Sequence, residues 1–190
     1  MKVERIVEVD YVFGTKALPE LVAPEAPFDY VVASHVIEHV PDLVGWLGGI
    51  RAILRPRGVL SLAIPDKRYC FDYFRQPTTS ADVLQAYLGR DRKPGFRQLF
   101  DYWASFATVN GALIWDAGTT VPPTRQVPSR TAWDIARAQS TDGIYHDVHC
   151  WVFTPVSFFE ALATLIELDL LDFVVATFFP TAGHEFFVGL

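Results

Sequence analysis

Residues 28–66 read FDYVVASHVIEHVPDLVGWLGGIRAILRPRGVLSLAIPD, and this stretch decides the fold. Its first six residues, 28–33, form a short apolar run rich in β-branched and aromatic side chains, the pattern of a buried strand. Pro41 and Asp42 suit a first helical turn, and Arg51 and Arg55 suit a last one. Between them Leu43, Leu47, Ile50 and Leu54 recur at the spacing of one helical face. Arg57-Gly58 then turns the chain into a second apolar run at 59–64. Strand, helix and strand within about 40 residues make a βαβ unit, which dictates parallel strands joined by a right-handed crossover.

Working outward, Thr79 with Asp82 three residues on matches a capping box ahead of VLQAYL. Residues 96–107 place Phe96, Leu99, Phe100, Trp103 and Phe106 on one helical face. Residues 108–128 hold three prolines and two glycines and read as a long loop of the kind that often forms a lid. A short helix is expected around RTAWDIARAQ. Thr154-Pro155 supplies a cap and a first-turn proline for a helix whose stripe is Phe158, Phe159, Leu162, Leu165 and Ile166. Two last apolar runs, 172–179 and 185–190, are separated by five residues and should pair as an antiparallel hairpin.

At 190 residues the chain reads as a single domain, with 67–153 as an elaboration between the second strand of the unit and the last helix. A length like this buries about 70% of the surface an unfolded chain exposes. Half of the residues are hydrophobic, and the net charge of −6 leaves no broad basic face for nucleic acid. The first ten residues, MKVERIVEVD, lack the apolar run of a signal peptide, and the greasiest stretch carries Asp172 and is too short to span a bilayer. Two cysteines, Cys70 and Cys150, suit a reducing compartment. The expectation is a soluble, cytoplasmic protein that engages neither nucleic acid nor membrane.

Within the deciding stretch, His35-Val36-Ile37-Glu38-His39 spells H-x-x-E-H, the inverted form of a zinc-hydrolase motif. Two histidines four apart chelate one ion only from a continuous helix. Here His35 directly follows a strand, and Pro41 disfavours helical geometry in the residue before it. Any helix across 35–39 is a turn at most. His146, His149 and Cys150 are the available source of a third ligand. The reading adopted has no metal, and a zinc hydrolase using His35 and His39 stands as an alternative.

The same stretch resembles the fourth strand, following helix and fifth strand of the class I S-adenosylmethionine-dependent methyltransferases. The resemblance rests on Asp29 near the strand start, Glu38-His39-Val40 after it, and Leu54-Arg55-Pro56-Arg57-Gly58, where Arg57 stands for the usual first glycine. KALPEL upstream is similar to the segment after the third strand, and the closing hairpin to the reversed last strand. The match covers 5–66 well and 154–190 more loosely. It implies an α/β, Rossmann-like methyltransferase fold: a partial, mostly parallel sheet ending in an antiparallel hairpin, with helices on both faces. No G-x-G occurs, so the glycine-rich loop and the acidic ribose contact that such enzymes use have no counterpart in the sequence. The fourth strand would then expose an apolar edge, and residues 5–12, or a second chain forming a homodimer or hetero-complex, should pair with it.

The resemblance implies S-adenosylmethionine as cofactor, contacted by Ser34, His35 and Val36, with Asp10 or the Gly14-Thr15 pair near adenine. The acceptor is a small molecule or a sugar or glycan. Asp66, His146 and His149 are the candidate general bases, because imidazole titrates near neutrality and Asp66 sits just past a strand's C-terminal end. Arg68 and Arg75 are candidates for an anionic acceptor. A non-catalytic relic serving as an interaction module is the other alternative.

Overall fold

The computed structural model describes residues 9–13 and 16–190. The deciding stretch folds as the expected strand, turn, helix and strand, except that Leu54 and Arg55, read as the end of the helix, belong to the second strand. Strand β1 covers Phe28–Ser34, a single 3₁₀ turn covers Ile37–His39, helix α2 covers Leu43–Ile53 and strand β2 covers Leu54–Pro65. A four-residue helix α1, Leu18–Leu21, opened by Pro19, precedes them and packs on α2. Helix α2 begins two residues later than Pro41 because Asp42 is its cap, accepting a hydrogen bond from the Gly45 N–H at 2.8 Å. β1 and β2 run parallel, with Val31 opposite Leu60 and Ala33 opposite Leu62.

β2 leaves α2 without a loop and turns at Arg57, whose φ is 66°, in the left-handed region that favours glycine. Gly58 follows because a Cβ there would stand 3.0 Å from the Arg55 carbonyl oxygen. The hairpin forms from β5, Thr177–Ala182, and β6, Glu185–Gly189. The sheet order is β1-β2-β6-β5, with β2–β6 and β5–β6 antiparallel. β5 starts five residues later than expected. β6 therefore enters beside the exit of β2, with Glu185 opposite Pro65.

Helices α3, Ser80–Gly89, and α6, Pro155–Glu167, carry the expected Thr79 and Thr154 capping boxes. Their buried residues Val83, Ala86, Phe158, Leu162 and Leu165 join Leu60, Leu62, Ile64, Phe186 and Val188 of the sheet and Leu47 and Ile50 of α2 in one core. That core lies on one face of the sheet. The expectation of helices on both faces holds on this side only among the described residues: Tyr30 and Val32, pointing the other way, are 70% and 67% exposed. Residues 9–12 form no strand, and 5–8 lie outside the described residues, so β1 has β2 as its one described neighbour.

Helices α4, Phe96–Ser105, and α5, Ser129–Thr141, pack on each other around Leu99, Ala136 and Val148. Phe96 and Phe100 stack and meet Trp133 edge-on. The loop expected over 108–128 is tied at its ends, where β3, Ala107–Thr108, pairs with β4, Thr124–Arg125. No described helix is long and apolar enough to cross a membrane.

Arg57→Gly should raise stability by about 0.5–1 kcal/mol, because relief of the left-handed penalty outweighs the added unfolded-state freedom. Urea unfolding midpoints of the two proteins check this.

Candidate functional site

The C-terminal ends of β1 and β2 form the rim where open α/β sheets bind ligands. β1 ends at Ser34, and His35 takes φ 53°, a left-handed conformation uncommon for a side chain of this size. Its N–H still donates to the Ala63 carbonyl, so the kink occurs while His35 is held to the sheet. The His35 Nε2 lies 2.6 Å from Glu185 Oε2, and its ring centroid is 5.7 Å from that of His184. The tight turn of the β5–β6 hairpin thus meets the end of β1 across the end of β2.

Beyond His35 the 3₁₀ turn is sewn to the segment before α6. The Cys150 N–H donates to the Glu38 carbonyl at 2.6 Å, Trp151 Nε1 donates to the Val40 carbonyl at 2.6 Å, and the Tyr145 hydroxyl donates to the His39 carbonyl at 3.0 Å. These bonds bring His149 against His39, ring centroids 4.8 Å apart and edge-on. His39 Nδ1 pairs with Asp147 Oδ1 at 2.7 Å, and His149 Nδ1 pairs with Asp72 Oδ2 at 2.5 Å. Beside them Glu38 is 1% exposed, and neither of its carboxylate oxygens has a hydrogen-bond partner. The nearest approach, His35 Nδ1 to Oε1, is 3.5 Å, too long for a normal bond. Burial pushes the Glu38 carboxyl above the usual carboxylate range.

Several residues expected at the site are committed elsewhere. Arg75 is 4% exposed and holds Asp72 at 2.9 Å, Asp101 at 2.8 Å and the His149 carbonyl at 2.8 Å, so it braces the fold and does not face an acceptor. Asp66 is fully buried and accepts from the Arg68 guanidinium at 2.6 Å and from the Thr181 hydroxyl at 2.6 Å. Burial opposes that carboxylate, but Arg68 and Thr181 overcome it and hold it below its usual range, in the ionised form. Arg68 is thereby occupied as well. His146 pairs with Asp142 at 2.7 Å, one turn back along the chain. Asp10 lies exposed at a bend, and Gly14-Thr15 lie outside the described residues. Burial pushes both thiols up, Cys150 to about 12, which removes them as nucleophiles.

The hairpin turn supplies what the sequence reading passed over. His184 lines a cleft of about 380 Å³ with Trp115, Ile114 and Val109, beside the rim. Trp115 is fixed there by donating its Nε1–H to the Arg68 carbonyl at 3.1 Å. A polar pair in a tight turn, Gly183-His184-Glu185, looks like a solvated loop until the antiparallel partner of β2 is known.

Ser34, His35 and Val36, the residues expected to contact S-adenosylmethionine, stand at the C-terminal end of β1 and the start of the following turn. The glycines at positive φ, Gly111, Gly143 and Gly183, have open space where a Cβ would stand, so none makes a close-approach cradle.

Comparison with known proteins places the chain in a family. A sequence model described as a methyltransferase domain matches residues 3–119, more than half of the chain. A ubiquinone biosynthesis O-methyltransferase of Paramagnetospirillum magneticum (strain ATCC 700264 / AMB-1) is 45% identical over 53 residues, 28% of this chain and 20% of that protein. The chain thus spans about a fifth of that relative's length. No solved structure matches it.

Asp66 fixes the stability of the rim in acid. Its folded-state pKa lies below the unfolded value, so its contribution is complete above the unfolded pKa and is lost as pH falls through the folded one. Thermal melts from pH 6 downward should show an acid limb, and Asp66→Asn should flatten it while lowering the melting temperature at neutral pH.

Proposed function

The chain belongs to the methyltransferase-domain family, and from that premise we propose that it transfers a methyl group from S-adenosylmethionine to a hydroxyl of a small-molecule or sugar acceptor. The observation that supports this reading most directly is the cleft of Trp115, Ile114 and His184, which opens beside the Ser34–His35 rim at the C-terminal ends of the parallel strands. Methyl transfer is a displacement in which the protein mainly aligns the reactants, and an acceptor hydroxyl must also lose a proton. The indole of Trp115 gives a flat apolar wall for a ring-shaped acceptor. His184 is the imidazole that fronts the cleft, since His35 has one nitrogen on Glu185 and the other facing Glu38. We assign His184 as the group that takes the proton. The matched relative is itself an O-methyltransferase by name, which favours an oxygen acceptor.

Among the described residues the outer edge of β1 has no partner strand, and this edge carries the second half of the reading. Strand edges and apolar faces of this kind are ordinarily covered. We place a further strand there, contributed by a second polypeptide, and with it the rest of the nucleoside grip. Sedimentation velocity should show concentration-dependent association that Val32→Lys weakens, and a monomer at every concentration would remove this part.

The activity is tested with methyl-labelled S-adenosylmethionine and panels of phenolic and sugar acceptors. Label should pass to one class. His184→Gln should lower kcat about 10²-fold or more with cofactor affinity unchanged. No transfer to any panel, together with no calorimetric heat from S-adenosylmethionine, would favour the non-catalytic relic.

A further inference from the structure

We infer that Glu38, His39 and His149 bind a divalent first-row transition-metal ion, with zinc as its simplest occupant, through one carboxylate and two imidazole nitrogens. Their ligand atoms lie within 4.8 Å of one another. An ion at about 2.0–2.2 Å from each would draw them together by side-chain motion of about 1 Å or less. The two histidines come from segments over one hundred residues apart, so this is not the helix-borne pair His35/His39 that the H-x-x-E-H spelling suggests.

Three observations carry the assignment. First, the Glu38 carboxylate is buried and without a hydrogen-bond partner, an arrangement that native structures rarely leave uncompensated. Second, each imidazole already has its Nδ1 on a carboxylate, Asp147 for His39 and Asp72 for His149. That leaves Nε2 of each as the free nitrogen and reproduces the outer-shell carboxylates that orient metal-bound histidines. Third, the one guanidinium nearby, Arg75, is already shared between Asp72 and Asp101, so Glu38 has no cation of its own and a dication would supply one. Two imidazoles with one carboxylate suit zinc, iron or cobalt better than calcium or magnesium, which take oxygen ligands.

A second group, His35, His184 and Glu185, is also close enough to chelate. It is half-exposed, and its His35–Glu185 pair at 2.6 Å already satisfies both partners. It contains no orphaned carboxylate and is the weaker donor set. The inference concerns the ion alone and stands whether or not the protein transfers methyl groups.

The test uses the full chain purified without chelator. Elemental analysis should find about one equivalent of a transition metal, or the stripped protein should take up one equivalent of Zn²⁺ by calorimetry. Glu38→Gln and His149→Gln should each weaken Zn²⁺ binding 10²-fold or more, with His184→Gln and His146→Gln unchanged. Circular dichroism of the metal-free variants confirms that they fold. Co²⁺ loaded into the unaltered protein should give the visible absorption of a low-coordinate nitrogen and oxygen site, a readout that needs no variant. Absence of stoichiometric uptake, uptake that survives both substitutions, or uptake lost with His184→Gln would overturn the assignment.

Discussion

Three hydrogen bonds to consecutive carbonyls, those of Glu38, His39 and Val40, hold the turn after β1 against the strand-like segment before α6. Turns of this length have too few internal bonds to fix themselves, and here the partners come from Cys150, Trp151 and Tyr145, more than one hundred positions away. The buried Trp151 indole anchors the contact. Because the turn cannot move, His35 is kept in its left-handed conformation at the rim, and Glu38 is kept inside. That seam also sets His149 against His39 beside Glu38.

The buried charges around the seam divide into those that are matched and one that is not. Asp72 sits between Arg75 and His149, and although burial opposes its charge, these partners hold it ionised below the usual carboxylate range. Asp66 is matched by Arg68 and Thr181 in the same way. Removing one partner of such a pair costs several kilocalories per mole, because the other is left buried and uncompensated. Glu38 is in that condition already, in the same neighbourhood and at equal burial. The contrast between it and its satisfied neighbours makes it the most informative side chain in the molecule.

The sheet is asymmetric. One face is packed by α1, α2, α3 and α6, and the other shows Tyr30, Val32 and Phe179 to solvent. The cleft beside His184 opens at the C-terminal end of β1, where the hairpin turn reaches His35.

The amino-acid sequence determined the local elements, because each has a local cause. The apolar run at 28–33, the stripe from Leu43 to Ile50 and the caps at Thr79 and Thr154 depend on side chains a few positions apart, whereas the hairpin closes on a two-residue turn, Gly183-His184, in place of the expected five-residue connection. Reading 35–39 as a turn also needed only Pro41 and the preceding strand. What the tertiary structure decided is which polar residues meet. Arg75 and Asp66 resemble rim residues in sequence and are locked by buried partners. His184 and Glu185 resemble a surface turn and reach the rim because β6 runs antiparallel to β2. Glu38 joins His149 across 111 positions, and no local pattern encodes a contact made when two distant segments share carbonyl and amide groups.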